Sequence, residues 1–163
     1  MGDAWARFYI EHRRGLTAYA LALTGSVPDA HDLLHDVLVR MVAERYSPRD
    51  ARAFVTRCLR NLAIDRRRTR RPTAASIDNV TAFLAASQND HGDGQTIAAV
   101  RAALAELTES QREVVVLRTY AELTFQEIAD VLDRPMGTVT STYARALDAL
   151  RRALDPEMLN AGT

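Results

Sequence analysis

The chain has 163 residues with 21 basic and 21 acidic side chains, 4 His, 1 Cys and 47% hydrophobic content, enough for a real core in one or two small domains. A lone Cys58 cannot close an internal disulfide, and no apolar run approaches the roughly 20 residues of a membrane span, so a disulfide scaffold and a spanning protein are excluded. Met1-Gly2-Asp3-Ala4-Trp5 carries an acid early and no apolar segment, so the expectation is a protein without a secretory signal, at home in a reducing cytoplasm.

The balanced charge hides an asymmetry. Every base is Arg; residues 1–71 hold 14 Arg against 8 acids, a net +6, and residues 72–163 hold 7 Arg against 13 acids, a net −6. Exclusive use of Arg suits a genomic base-composition bias, but the clustering does not: Arg49 to Arg71 contains nine Arg against Asp50 and Asp65. Opposed halves suggest an anion-binding half joined to a different one.

Apolar residues recur three and four apart almost everywhere, which predicts an all-α protein. Trp5, Phe8, Leu16, Tyr19 and Leu23 give a first helix, stopped at Thr24-Gly25. Ser26 as N-cap, Pro28 in the first turn and Asp29 in capping-box position open a second helix through Leu33, Leu34, Val37, Leu38 and Met41. Ser47-Pro48-Arg49-Asp50 repeats that start signal for a third helix, with Phe54, Val55, Cys58, Leu59, Leu62 and Ile64 on its buried side. From Pro72 to Gly94 the pattern weakens into Thr, Ser, Asn, Asp and Gly, with only Ile77, Val80, Phe83 and Leu84 able to pack, as in a linker.

Helices resume near Gln95 with Ile97, Val100, Leu104 and Leu107, and Thr108 caps the next, which carries Val114, Val115, Leu117 and Tyr120. Thr124-Phe125-Gln126-Glu127 is a capping box for a short helix with Ile128, Ala129 and Leu132. Asp133-Arg134-Pro135-Met136-Gly137 interrupts it, with Gly137 permitting the turn, and Thr138 caps a last helix through Val139, Tyr143, Ala146, Leu147, Leu150 and Leu154. Helix, tight turn, helix is the helix-turn-helix pattern, whose second member reads DNA. Two small helical domains joined by a linker follow: residues 1–71 and 95–155, with 72–94 between them.

Arg57, Arg60, Asn61, Arg67, Arg68 and Arg71 fall on one helical side opposite the apolar one, an arrangement suited to phosphate neutralisation. Thr138, Thr140, Ser141 and Thr142 crowd the start of the reading helix with hydroxyls and backbone N–H groups that suit phosphate. His31 and His35 stand one turn apart but lack a third ligand, so no metal is expected. With no Gly-rich phosphate loop, nucleophile elbow or supported carboxylate pair, no enzyme site and no cofactor are expected.

Several motifs in order resemble the small two-domain RNA polymerase sigma factors of the extracytoplasmic-function type, in the sigma-70 family. Asp29-Ala30-His31-Asp32-Leu33-Leu34-His35-Asp36-Val37 is similar to the helix that docks on core polymerase. Arg60-Asn61-Leu62-Ala63-Ile64-Asp65-Arg66-Arg67-Arg68 is similar to the helix at the −10 promoter element. Leu107-Thr108-Glu109-Ser110-Gln111-Arg112-Glu113-Val114 and Gly137-Thr138-Val139-Thr140-Ser141 are similar to the domain that reads the −35 element.

The resemblance implies a non-enzymatic subunit that binds core RNA polymerase and promoter DNA, leaving open an anti-sigma partner. It assigns Asp32, Leu33, Leu34, His35 and Asp36 to polymerase docking. Arg45, Tyr46, Arg57, Arg60, Asn61, Asp65, Arg67, Arg68 and Arg71 fall to the −10 element, with Tyr46 a stacking or wedge residue. Thr124, Arg134, Pro135, Thr138, Thr140, Ser141, Thr142 and Arg145 fall to the −35 element. His31 and His35 replace the family's Glu and Gln, and Thr140, Thr142 and Leu147 replace basic residues, so modest −35 affinity is expected. Two readings compete: an adaptor of the same shape that titrates an anti-sigma factor without opening promoters, and a helix-turn-helix repressor that binds palindromic duplex.

Overall fold

The computed structural model describes residues 2–49, 51–69 and 94–155. They form α1 (Gly2–Thr24), α2 (Val27–Ala43), α3 (Arg52–Thr69), α4 (Gly94–Glu106), α5 (Glu109–Thr119), α6 (Phe125–Leu132) and α7 (Met136–Ala153), with no strand among the described residues. The expected linker, with Ile77, Val80, Phe83 and Leu84, lies outside them except for Gly94, which opens α4.

In α1 the expected stripe of Trp5, Phe8, Leu16, Tyr19 and Leu23 is buried. Gly25 turns left-handed at φ 70°, and the two residues Gly25 and Ser26 send the chain into α2. Ser26 caps α2 by accepting from the Asp29 amide at 3.5 Å, and Leu33, Leu34, Val37 and Met41 seal it into the core. The Trp5 indole donates to the Tyr46 carbonyl at 3.0 Å, tying the α2–α3 loop to the start of α1.

The start of α3 differs from the Ser47-Pro48 signal. The Arg49 amide donates to the Ser47 hydroxyl and the Ala51 amide to the Pro48 carbonyl, each at 3.3 Å, so that signal makes a turn and the helix begins at Arg52. Phe54, expected inside, is 42% exposed and packs its ring on Tyr46 at 5.1 Å between centroids. The inward stripe is Val55, Leu59 and Ala63, spaced by four, and Phe54 lies one residue off it, about 100° around the helix. Cys58 and Ile64 are half-buried; burial raises the Cys58 thiol pKa above its ordinary value, so the group stays protonated.

In the second half, Thr124 forms the expected capping box with Glu127 for α6, and Thr108, expected as a cap, forms a complete box with Gln111 for α5. Arg112 is buried, which lowers its pKa, and its guanidinium donates to the Leu107 and Leu104 carbonyls at the end of α4 at 2.9 and 3.4 Å. The turn between α6 and α7 corrects two expectations. The left-handed residue is Asp133 at φ 52°, not Gly137, and Pro135, not Thr138, stands at the N-cap of α7 without a side-chain cap bond. Asp tolerates the left-handed region better than most residues, and proline's fixed φ, here −58°, starts the next helix directly. Thr138 is therefore the third residue of the helix and Gly137 its second.

The halves share one continuous set of buried apolar residues, through α1 against α5 and α3 against α6. Gly15 marks the closest approach: a Cβ there would lie 2.4 Å from the Tyr120 carbonyl oxygen and 2.8 Å from Ala121 Cα. Only glycine lets two backbones meet so closely.

Candidate nucleic-acid interface

On α2 the two carboxylates Asp32 and Asp36 stand one turn apart and share one cation. The Arg66 guanidinium of α3 donates to Asp32 at 3.1 Å and to Asp36. Asp32, His35 and Asp36 are exposed, whereas Leu33 and Leu34 are core residues, 0% and 3% exposed. The expected docking surface is corrected accordingly: a helix cannot turn five consecutive residues outward, and its outer face here is His31, Asp32, His35, Asp36 and Val39.

The Arg stripe of α3 forms as the spacing predicts, and the second half lies across it. Arg60 Nε meets Glu113 Oε1 at 3.0 Å with both side chains largely buried. Tyr19 donates to the same oxygen at 2.8 Å. Burial raises the Tyr19 phenol pKa well above its ordinary value, Glu113 adds to the rise and Arg60 opposes it. Arg67 reaches Glu109 at 3.2 Å and the Leu23 carbonyl at 2.7 Å. Arg57 lines a cleft with Asp130, Asp133, Arg134 and Met136 of the helix-turn-helix. Asn61, Asp65 and Arg68 are exposed, and Arg71 lies outside the described residues. Arg45, at φ 56°, and Tyr46 are exposed in the loop before α3, beside Phe54.

At the reading helix, Met136, Gly137 and Thr138 present an exposed first turn next to exposed Pro135. Thr140 donates its hydroxyl to the Gly137 carbonyl at 3.1 Å, and Ser141 and Thr142 donate to the Thr138 carbonyl at 3.2 and 2.8 Å. Their oxygens keep acceptor capacity, and their donors are already committed to the helix. Arg134 donates to the Ser110 hydroxyl at 2.7 Å, fixing the turn on α5. Thr124 is spent on its cap. Arg145 is exposed on α7.

Sequence reasoning passed over Arg66, Glu109, Glu113 and Gly15, and placed Phe54 in the core. Ion pairs between segments tens of residues apart have no spacing signature; only the opposite charge of the halves pointed toward them. Among the described residues no group of three or more His, Cys, Asp or Glu converges as a metal site, and no helix is long and apolar enough to cross a membrane.

Residues 8–73 match the family model for Sigma-70 region 2, and residues 103–152 that for Sigma-70 region 4. The chain is 32% identical over 165 residues to the RNA polymerase sigma-E factor of Streptomyces avermitilis, covering 94% of this chain and 87% of that protein. It is also 32% identical to the ECF RNA polymerase sigma factor SigL of Mycobacterium tuberculosis, with 90% and 86% covered. Its fold is similar to CnrH solved with the cytosolic domain of CnrY, with a TM-score of 0.62, 24% identity, and 95% and 90% of the two chains covered. It is similar too to the sigma factor RpoE solved with the anti-sigma factor NepR from Bartonella quintana, with a TM-score of 0.60, 21% identity, and 86% and 90% covered. The chain belongs to the extracytoplasmic-function sigma factors of the sigma-70 family, which bind core RNA polymerase and direct it to promoters.

Proposed function

We propose a division of labour by residue. Residues 1–71 dock on core polymerase through Asp32, His35 and Asp36, with Leu33 and Leu34 holding that helix in place from within. The same half holds the opened −10 strands with Arg57, Arg60, Asn61, Arg67, Arg68 and Arg71, while Arg45 and Tyr46, with Asp65, line the loop and helix face where an unstacked base is received. Residues 72–94 connect the halves. Residues 95–155 read the −35 duplex from the first turn of α7, with Pro135, Thr138, Thr140, Ser141 and Thr142 near the backbone and Arg134 and Arg145 supplying charge.

The observation that carries this reading is α3 itself: one side is the core stripe Val55, Leu59 and Ala63, the other holds Arg57, Arg60 and Arg67, and the exposed Tyr46–Phe54 ring pair stands at the start of the helix. Cations that track a backbone beside rings that stack bases are what single-strand capture requires. No nucleotide is consumed; the free energy of opening comes from polymerase contacts and captured bases, and the subunit acts in the cytoplasm without catalysis of its own. An anti-sigma factor is a further partner in this reading, as for the structurally similar sigma factor RpoE, solved with the anti-sigma factor NepR.

Runoff transcription tests it. Core polymerase plus this chain should yield a defined transcript from a promoter selected out of random-sequence DNA; an adaptor would bind polymerase or an anti-sigma factor and yield none.

A further inference from the structure

The outer side of α1 carries cations and apolar groups that the fold does not use. Ile10 is 64% exposed and Tyr9 37%, and Arg7, Arg13 and Arg14 are exposed around them. Arg7, Ile10 and Arg14 follow one another at three- and four-residue spacing, and Arg13 lies about 60° to the other side of Ile10. Arg40, Arg60, Arg66 and Arg67 each bridge to a carboxylate. Arg7, Arg13 and Arg14 make no ion pair or hydrogen bond among the described residues, although Arg7 stands four residues from both Asp3 and Glu11. Glu11 meets His12 instead, at 3.9 Å.

Three free guanidiniums within about 10 Å of helix attract an anion, and the uncovered Ile10 and Tyr9 suit an apolar surface. Single-stranded DNA offers both at once, phosphates for the arginines and base faces for the side chains between them. Paired DNA hides its base faces. An acidic protein segment is the competing occupant, and position favours the strand. The Trp5 indole donates to the Tyr46 carbonyl at 3.0 Å, so α1 starts at the loop assigned above to an unstacked base. From Trp5 the cationic face extends from about 3 to about 14 Å along the helix axis, which makes it a continuation of that loop.

We propose that the outer face of α1, through Arg7, Tyr9, Ile10, Arg13 and Arg14, holds the opened strand where it leaves the Tyr46 loop. Toward the −35 element the DNA is duplex, so the strand held here is the one running on toward the start site. The inference rests on the assignment of the loop and α3 to the −10 element and extends the bound strand beyond it. The loop and α3 then receive the element itself, and α1 sets how firmly the strand beyond it stays captured.

The test uses holoenzymes of core polymerase with the wild type or with Arg7→Ala, Arg13→Ala, Arg14→Ala, on two forked DNAs built from the promoter selected for runoff transcription. In the short fork the captured strand ends with the −10 element; in the long fork it continues unpaired for about 8 nucleotides. Ala is the best helix former, so α1 survives the change, and circular dichroism checks it. Wild type should bind the long fork more tightly than the short one. The triple variant should equal wild type on core polymerase and on the short fork. On the long fork it should bind about tenfold more weakly, with a salt slope lower by about 2, near 0.7 for each of three phosphates. Arg7→Lys, Arg13→Lys, Arg14→Lys keeps the charges and should restore both.

An undiminished preference for the long fork in the triple Ala variant overturns the proposal. An equal loss on both forks also overturns it, as does weaker binding to core polymerase, which would give the face to an acidic protein surface. The reading beneath it fails separately, if Arg67→Ala, Arg68→Ala holoenzyme binds the short fork as tightly as wild type; the long fork then still decides the role of α1.

Discussion

Arg60 and Glu113 lie 53 residues apart in sequence and meet at 3.0 Å, with Tyr19 donating to the same carboxylate oxygen. The carboxylate thus takes one charged and one neutral donor in a setting shielded from water, where each bond counts for more than at an open surface. The pair spans the two halves, so the state of Tyr19 reports on their contact.

That gives a pH prediction with a definite sign. The Tyr19 phenol pKa is raised in the folded chain, so its contribution to stability is fully present below about pH 10, the ordinary tyrosine value, and is lost as pH rises further, at up to about 1.4 kcal/mol per pH unit. Denaturant titrations from neutral to strongly alkaline pH should show a steeper loss for the wild type than for Tyr19→Phe. Parallel curves would place the phenol in a site without influence on folding.

The helix-turn-helix yields two stability predictions of opposite sign. Gly137 lies inside α7, without positive φ and with no atom within 4 Å of an added Cβ, so Gly137→Ala should stabilise the chain by about 0.5–1 kcal/mol. Thr124→Ala should cost about 1 kcal/mol, because it removes the hydroxyl that caps α6 and strands the Glu127 amide. Chemical denaturation measures both; a destabilising Gly137→Ala would restore Gly137 as the turn residue.

Phe54 and Leu59 sit five residues apart on α3 with opposite surroundings, 42% and 0% exposed. Leu59→Ala should lose about 2–5 kcal/mol of stability. Phe54→Ala should lose under about 1 kcal/mol, yet reduce open-complex formation by removing the ring tilted against Tyr46. Equal stability losses would show that Phe54 belongs to the core.

Much of the fold was legible in the sequence where local rules decide it. The Trp5 to Leu23 stripe, the Gly25 stop, the Thr108 cap and the Thr124 box each use residues within one or two turns. Phe54 misled because a large apolar residue is counted inward by default, although it lies one position off the Val55, Leu59 and Ala63 line. Gly137 misled because glycine is the usual carrier of positive φ, and Asp133 took that conformation instead. On α3 the Arg stripe was visible from spacing. Its partners Glu109 and Glu113, the Gly15 seat and the Arg66 bridge to Asp32 and Asp36 were not, since tertiary pairing leaves no periodic trace.

In the proposed function the α3 arginines grip promoter strands while the acidic face of α2 is held on polymerase. Permanganate reactivity of unpaired −10 thymines, read beside core-polymerase affinity for the same holoenzymes, tests it most directly. Asp32→Ala should weaken core binding. The double variant Arg67→Ala, Arg68→Ala should keep core affinity, lose most strand opening, and lower the salt slope of open-complex formation by about 1–2. Full thymine reactivity in the double variant at unchanged salt dependence would contradict the account.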